Sequence, residues 1–426
     1  MKKKMLIIIA LVSSLLLSSC SLIPASRLEA LFSNGGDTVI RSGEAAVNNN
    51  DTVVISKEEY EKYRKFSDMF DIYDAANEIF YQETDQDKMV EYAVRGLMSG
   101  LDDPYSFYYN PEEYAEMWED DEGNYVGIGV LIQSNMDTQI CTIIRVFKDG
   151  PAEKAGVQRG DILYKVGDDL YVNANNLQEA VDIMRGVPDT DVDVTFLRGE
   201  EEIKYTITRK QVNVNQVESK MIDQSIGYIA LYQFAGQCEK EFENDLNSLL
   251  EQGAKGIIID LRDNTGGWVD QAEYIADLFM DQGELCYLKY RDEEVHGDYL
   301  TKDGKTDVKL VILINENTAS SSEILTGALR DCAQAVTVGV KSFGKGIIQG
   351  VFPVGDKGAG YQMTVAQYFT PNGSAVHKIG IEPDYEVPLP EGDNGMYEFA
   401  DPEHDIQLKK AMEVMQEKLG QDTTNP

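Results

Sequence analysis

The chain has 426 residues, 42% of them hydrophobic, enough for two or three domains with a substantial core. Its 74 acidic and 38 basic residues give a formal net charge of −36, which argues against nucleic acid and anionic lipid headgroups as electrostatic partners. Beyond that, an acidic surface serves solubility and selects no function.

Met1 to Lys4 followed by the apolar run Met5 to Leu17 is the charged head and hydrophobic core of a secretory signal, too short for a spanning helix. It ends Leu17-Ser18-Ser19-Cys20, which resembles the bacterial lipobox. The resemblance implies a signal peptide over residues 1–19, cleavage before Cys20 and lipid on its sulfur. The protein is then expected on the extracytoplasmic side of a bacterial cell membrane, held by that lipid. Cys141, Cys238, Cys286 and Cys332 remain. None forms a C-x-x-C pair, so zinc is not expected, and buried free thiols are the default, with a disulfide as the alternative.

Residues 20–56, rich in Ser, Asn, Gly and Ala, read as a flexible tether. An N-terminal helical region spans 57–120. Within it, Tyr60, Tyr63, Phe66, Phe70 and Tyr73 fall at helical intervals over Lys57 to Phe80, and a second helix runs from Lys88 to Gly100. Such aromatic stripes belong to a core or to an inter-subunit seam, so a homodimer through the terminal helices is admitted.

Residues 121–212 open on Tyr125-Val126-Gly127-Ile128-Gly129-Val130, continue through Gly150-Pro151-Ala152 and Arg159-Gly160-Asp161, and carry a helix at Asn176 to Arg185. This ordered series resembles a PDZ domain. The resemblance implies that Tyr125 to Val130 bind a peptide's C-terminal carboxylate while the peptide adds as a strand. Pro188-Asp189-Thr190 departs from the family's Pro-Gly-Thr, a change confined to a turn.

From 213 to 400 strand and helix signals alternate: Ile226 to Phe234, Lys240 to Gln252, Gly256 to Leu261 and Asp270 to Phe279. Leu285 to Thr306 reads as a polar surface hairpin. Gly266-Gly267 ends a strand and leads into a helix, a cradle for an oxyanion built from the N–H of Gly266 or Gly267 with that of Ser321. Leu310 to Ile314 is a buried strand, and the small polar turn after it lifts Ser320 to a helix N-terminus. The next strand, Ala335 to Val340, leads to Ser-Phe-Gly-Lys-Gly. A serine hydroxyl needs a base near neutral pH, and Lys345 can serve once burial disfavours its charge. Gln349, four residues on, shares a strand face with Lys345, and its amide oxygen is placed to orient the lysine. A phosphate loop is disfavoured, since Gly346 offers no hydroxyl and Ile347 to Val351 reads as strand. Pro402 to Leu419 forms an amphipathic helix within a C-terminal segment of residues 401–426.

The pair N-x-x-T-A-S-S-S-E-I-L-x-G-A-L and S-F-G-K-G-x-x-Q resembles the carboxy-terminal processing, or tail-specific, serine proteases. The likeness extends to Leu101-Asp-Asp-Pro-Tyr-Ser and to Gly380-Ile-Glu-Pro-Asp384. It implies a multi-domain α/β chain with N-terminal helices, a PDZ domain and a crotonase-like core. It implies an endopeptidase with Ser320 as nucleophile, Lys345 as general base and Gln349 positioning Lys345. Substrates are expected to be proteins or peptides with free C-termini. Ser321 stands where the family has alanine and Thr265 where it has proline, which leaves Ser321 and Ser322 as rival nucleophiles by type. No metal or other cofactor is implied, because His296, His377 and His404 are scattered. Two alternatives stand beside this reading: a Ser–His hydrolase using His377, and a non-catalytic PDZ lipoprotein that binds protein tails.

Overall fold

The computed structural model describes residues 55–422 apart from 122–123, 137, 303–305, 391–394, 396 and 398, together with the backbone of Ile9–Leu11 and Ser21–Ile23. Cys20, most of its signal segment and most of the tether lie outside the described residues. Ser56 caps α1 (Lys57–Lys65) through a reciprocal bond with Glu59. The helix expected to continue to Phe80 breaks at Phe66, whose backbone closes α1 and opens α2 (Ser67–Ile79). With α3 (Gln86–Ser99), these helices contain no buried residue, so their aromatic stripe is not core within one chain. A short strand, β1 (Phe107–Tyr109), and α4 (Pro111–Asp121) complete this region.

Next comes a small β-rich unit. Its strands are β2 (Asn124–Gly127), β3 (Val130–Asn135), β4 (Ile140–Val146), β5 (Ile162–Val166), β6 (Leu170–Tyr171), β7 (Asp191–Arg198), β8 (Glu201–Thr208) and β9 (Lys210–Asn213). Two helices, α5 (Pro151–Ala155) and α6 (Leu177–Met184), complete it. Sheet order is β3-β4-β5-β7-β8, with β2 pairing β9 separately. Alternating positions such as Ile132, Ile143, Leu163, Val194 and Phe196 point into one core with Leu177 of α6. Asp189 has φ 64°, so the turn that departs from Pro-Gly-Thr still takes the left-handed backbone that glycine usually supplies.

The core domain holds β10 (Val217–Met221), β11 (Ile226–Leu231), α7 (Cys238–Glu251), β12 (Gly256–Asp260), α8 (Val269–Asp277), β13 (Gly283–Lys289), β14 (Glu294–Thr301) and β15 (Lys309–Ile314). It ends with α9 (Ser321–Ala333), β16 (Val336–Gly339), β17 (Ile347–Val354), β18 (Ala359–Phe369), β19 (Tyr385–Glu386) and α10 (Ile406–Asp422). One sheet runs β10-β11-β12-β15-β16-β19, parallel from β11 onward. Its strands β11 and β12 are buried end to end, as a parallel sheet covered on both faces requires. Leu408, Ala411, Val414 and Met415 of α10 cover one face. The other face packs on α7, α8, α9 and a second sheet, β14-β13-β18-β17, to which β1 adds.

Two expectations change. The Leu285 to Thr306 hairpin is no surface appendage, because Leu285, Cys286, Leu288 and Tyr299 are buried where β13 joins β18. Cys332 is exposed, whereas Cys141, Cys238 and Cys286 are buried; all four are free thiols. Ile9–Leu11 lies antiparallel along β3, and Ser21–Ile23 parallel along β17, so both strands are edges that take another strand.

Candidate active site

The turn from β15 into α9 is pinned before it reaches the serine. Thr318 accepts the Asn315 N–H at 2.9 Å and donates to Leu261 O at 2.7 Å. Ser320 follows as the N-cap of α9, fully buried, with φ 61° and ψ −123°. A non-glycine residue in such a conformation costs about 1–3 kcal/mol and persists only where its surroundings over-determine it. They do here. Its carbonyl accepts from the N–H groups of Glu323 (2.8 Å) and Ile324 (2.9 Å) and from Tyr368 Oη (3.1 Å). Burial and the nearby Glu323 charge push the Tyr368 phenol well above its usual range, so it stays a donor.

The neighbouring serines are committed elsewhere. Ser321 donates to Gly267 O at 2.7 Å, and Ser322 to Asn264 O at 3.0 Å, so both hydroxyls brace the loop that carries Gly266 and Gly267. Ser320, the third, is the N-cap of α9 itself.

Glu323 joins the two halves of the site. Its Oε2 accepts the backbone N–H of Ser320 at 3.0 Å and of Lys345 at 2.8 Å. Its Oε1 accepts the Gly344 N–H at 2.8 Å and the Ser342 hydroxyl at 2.5 Å. One carboxylate thus fixes the main chain of serine and lysine together. Burial still holds its carboxyl above the ordinary range, against the pull of those four donors. Lys345 is a buried lysine, 2% exposed, with Nζ 4.2 Å from the centre of the Tyr105 ring.

Gln349 is buried, and strand parity does not tie it to Lys345. Lys345 precedes β17, and the ladder slips between Ile348 and Gln349, so a period of two does not link them. Gln349 Nε2 donates to Thr364 Oγ1 at 3.0 Å, while its Oε1 is buried without a partner. Thr364 donates onward to Asp103 Oδ2 at 2.6 Å, which also accepts from Ser106 at 2.5 Å.

The Gly266-Gly267 turn touches the serine directly. A Cβ at Gly266 would lie 2.7 Å from Ser320 Cβ, and one at Gly267 only 2.0 Å from Phe234 O, so neither position tolerates a side chain. The Gly266 N–H is bonded to Asn264 Oδ1 at 2.9 Å. The Gly267 N–H takes no part in the Phe234 bridge, which runs through Gly266 O and Trp268 N–H. Ser321 opens α9, where an N–H has no intrahelical partner. Of the two glycine N–H groups, that of Gly266 is thus committed to Asn264.

His377 backs onto Gly346, next to Lys345. Among the described residues it makes no hydrogen bond to Ser320, its Nδ1 is buried without a partner, and burial lowers its pKa. In the PDZ-like unit, Tyr125 to Gly127 belong to β2 and Val130 begins β3. Between them, Ile128 O accepts from Ala152 and Gly129 O from Phe147, which fixes the loop while its N–H groups donate to nothing among the described residues. This unit meets the core through Arg145. Its guanidinium lies 3.7 Å from the Tyr232 ring centre and bonds Glu218 and Asn215 O.

Sequence reasoning passed over Glu323, Asn264, Asp103 and Tyr105. Glu323 was findable: Ser followed three residues later by Glu is a capping-box spacing, and its returning half is the bond to the Ser320 N–H. Asp103 and Tyr105 lie in the Leu101 to Ser106 motif and Asn264 just before Gly266, but their contacts run to distant segments that local sequence does not name.

Three family models match the chain: peptidase family S41 over residues 225–387, the activating protease CtpB N-terminal domain over 35–113, and a PDZ domain over 142–198. A carboxyl-terminal-processing protease of Synechocystis is 35% identical over 331 residues, covering 76% of each chain. The carboxy-terminal processing protease CtpA of Bacillus subtilis is 35% identical over 329 residues, covering 77% of this chain and 70% of that one. A crystal structure of a Bacteroides fragilis protein described as an S41 protease shares the fold, with TM-score 0.52 at 16% identity, over 79% of this chain and 91% of the other.

Proposed function

Because the chain belongs to the carboxyl-terminal processing serine proteases, with a PDZ domain and an S41 core, we propose that it cuts protein substrates through a Ser320–Lys345 acyl-enzyme. The observation that carries this reading is the Glu323 carboxylate, which holds the main chain of both residues on one oxygen. Lys345 takes the Ser320 proton as the hydroxyl oxygen adds to the scissile carbonyl carbon. The oxyanion is met by the N–H groups of Gly267 and Ser321. The lysine ammonium then protonates the leaving amine, and water activated by Lys345 hydrolyses the ester and restores Ser320.

The PDZ domain selects substrates by their free C-termini, supported by the open N–H groups of Ile128 and Gly129 and the β3 edge. The enzyme works outside the cytoplasm on a lipid anchor at Cys20, for which the support is the Leu17-Ser18-Ser19-Cys20 sequence. Its partner through the terminal helices is a second copy, since α1 to α3 bury nothing in one chain.

One set of preparations tests the scheme. Acyl-enzyme trapping with a free-acid peptide should occur in His377→Ala and vanish in Lys345→Ala; the reverse pattern would establish the Ser–His alternative. The same peptide amidated at its C-terminus should be cut poorly by the unaltered enzyme, and equal rates would remove tail selection. Intact mass should show lipid that Cys20→Ala lacks.

A further inference from the structure

We infer that the Asp103–Ser106 turn of the N-terminal helical region completes the catalytic apparatus, and that the Tyr105 ring face is a positioning residue for Lys345 during proton transfer. The inference rests on Lys345 being the base. The turn is built into the core rather than resting on it. Thr364 of β18 accepts nothing loosely: its N–H donates to Ser106 Oγ at 2.9 Å and its hydroxyl to Asp103 Oδ2 at 2.6 Å. Gln362 Nε2 donates to Tyr105 O at 3.0 Å, and the Tyr105 N–H is held by Asp103 Oδ1 at 3.2 Å. These bonds leave the ring little choice of place, and they set its face 4.2 Å from Lys345 Nζ. The same Thr364 hydroxyl receives Gln349, so one turn fixes both neighbours of the base.

An aromatic face attracts an ammonium and has little hold on a neutral amine. Its contribution therefore grows as Lys345 takes the proton from Ser320, the step in which the tetrahedral adduct forms. That is stabilisation of the transition state and not of the bound substrate. In the free enzyme the same face favours the cation, which holds the acid limb of the pH profile higher than Lys345 alone would have it. The other titratable or charged groups packed around this site are Glu323 from α9, Tyr368 from β18, Asp103 bonded to Thr364, His377 beside Gly346, and Lys378, whose N–H donates to Gly344 O. None of these changes when only the ring's π density is altered.

The test uses the full-length enzyme with Tyr105→Phe and with pentafluorophenylalanine encoded at position 105, which keeps the ring's shape and reverses its quadrupole. Tyr105→Phe should keep the acid limb of kcat/KM where the unaltered enzyme has it. The fluorinated ring should move that limb down by about 0.4–1.5 pH units. It should also lower plateau kcat by about 2- to 30-fold with KM nearly unchanged. Coincident limbs for the two variants would overturn the role of Tyr105 while Lys345→Ala stays inactive. An active Lys345→Ala would instead remove the base assignment, and this inference with it.

Discussion

Two helices of 13 residues, α2 and α9, show how differently one sequence uses an apolar face. In α9 every residue from Ser321 to Leu329 is buried, including two serines and a glutamate. In α2 none is, although Met69, Phe70, Ile72 and Ile79 give it as much apolar surface. Periodicity states that a helix has a face to cover; it does not state whether the cover lies in the same chain. α9 found the second sheet and α8, and with them enough hydrogen-bond partners to take polar groups inside. α2 meets α1 through the Tyr63–Phe70 stack at 4.6 Å and α3 through the Gln86–Asn77 hydrogen bond, and neither contact buries one of its residues. Chemistry collects where burial of polar groups is enforced, and association where apolar groups are left out.

The sharpest way to break that contrast lies in the first turn of α9. Ser320→Ala should lower peptidase turnover by about 10⁴-fold or more with little change in thermal midpoint. Ser321→Ala and Ser322→Ala should keep turnover and lose stability, about 1–3 kcal/mol for Ser321, whose loss leaves Gly267 O without that donor, and less for Ser322, because Asn264 O keeps the Ala319 N–H at 3.0 Å. Active-site titration beside denaturant unfolding separates the two; an inactive but stable Ser321→Ala would exchange the roles assigned here.

On α2 the expected effect is on association alone. Ile72 is 68% and Ile79 77% exposed in one chain. Ile72→Asp with Ile79→Asp should therefore change monomer stability by no more than about 0.5 kcal/mol per site. Sedimentation velocity should show the same pair shifting dimers to monomers. A monomer of the unaltered protein would leave this face without its second copy.

The smallest effect is a pH slope. Burial raises the Glu323 carboxyl above 4.5, so the folded chain binds that proton more tightly than the unfolded one. This group's contribution to stability is then lost as pH rises from about 4.5 through the raised folded value. Unfolding free energies measured from pH 4 to 7 should lose that component of slope in Glu323→Gln. Identical slopes would show that the four donors cancel burial, and a slope of the opposite sign that they outweigh it. The amide NH2 also replaces an oxygen that accepts two donors and can accept neither, so turnover should fall with it.

Much of this was legible in the sequence because the signals were local. The continuous apolar runs of β12 and β15 and the Gly266-Gly267 pair each report on a few consecutive residues. The hairpin at Leu285 was misread because its polar residues face out along strands whose alternate side chains are buried against β18, a partner about 80 residues away. Gln349 was placed by strand parity, which a register slip at Ile348 invalidates. Tyr105 was beyond reach, since its bearing on Lys345 exists only through Gln362 and Thr364 of another sheet.

The chain has two tryptophans, and they stack on each other with ring centres 5.7 Å apart and planes 16° off parallel. Trp118 lies on α4, the helix that leads into the PDZ domain, and Trp268 directly follows Gly267. All tryptophan emission from this protein therefore originates at one junction between the helix entering the PDZ domain and the Gly266-Gly267 loop. The pair is a built-in optical gauge. Any sliding of α4 against that loop when a peptide tail engages alters the overlap of two coupled chromophores, and it can be followed in real time without attaching a dye.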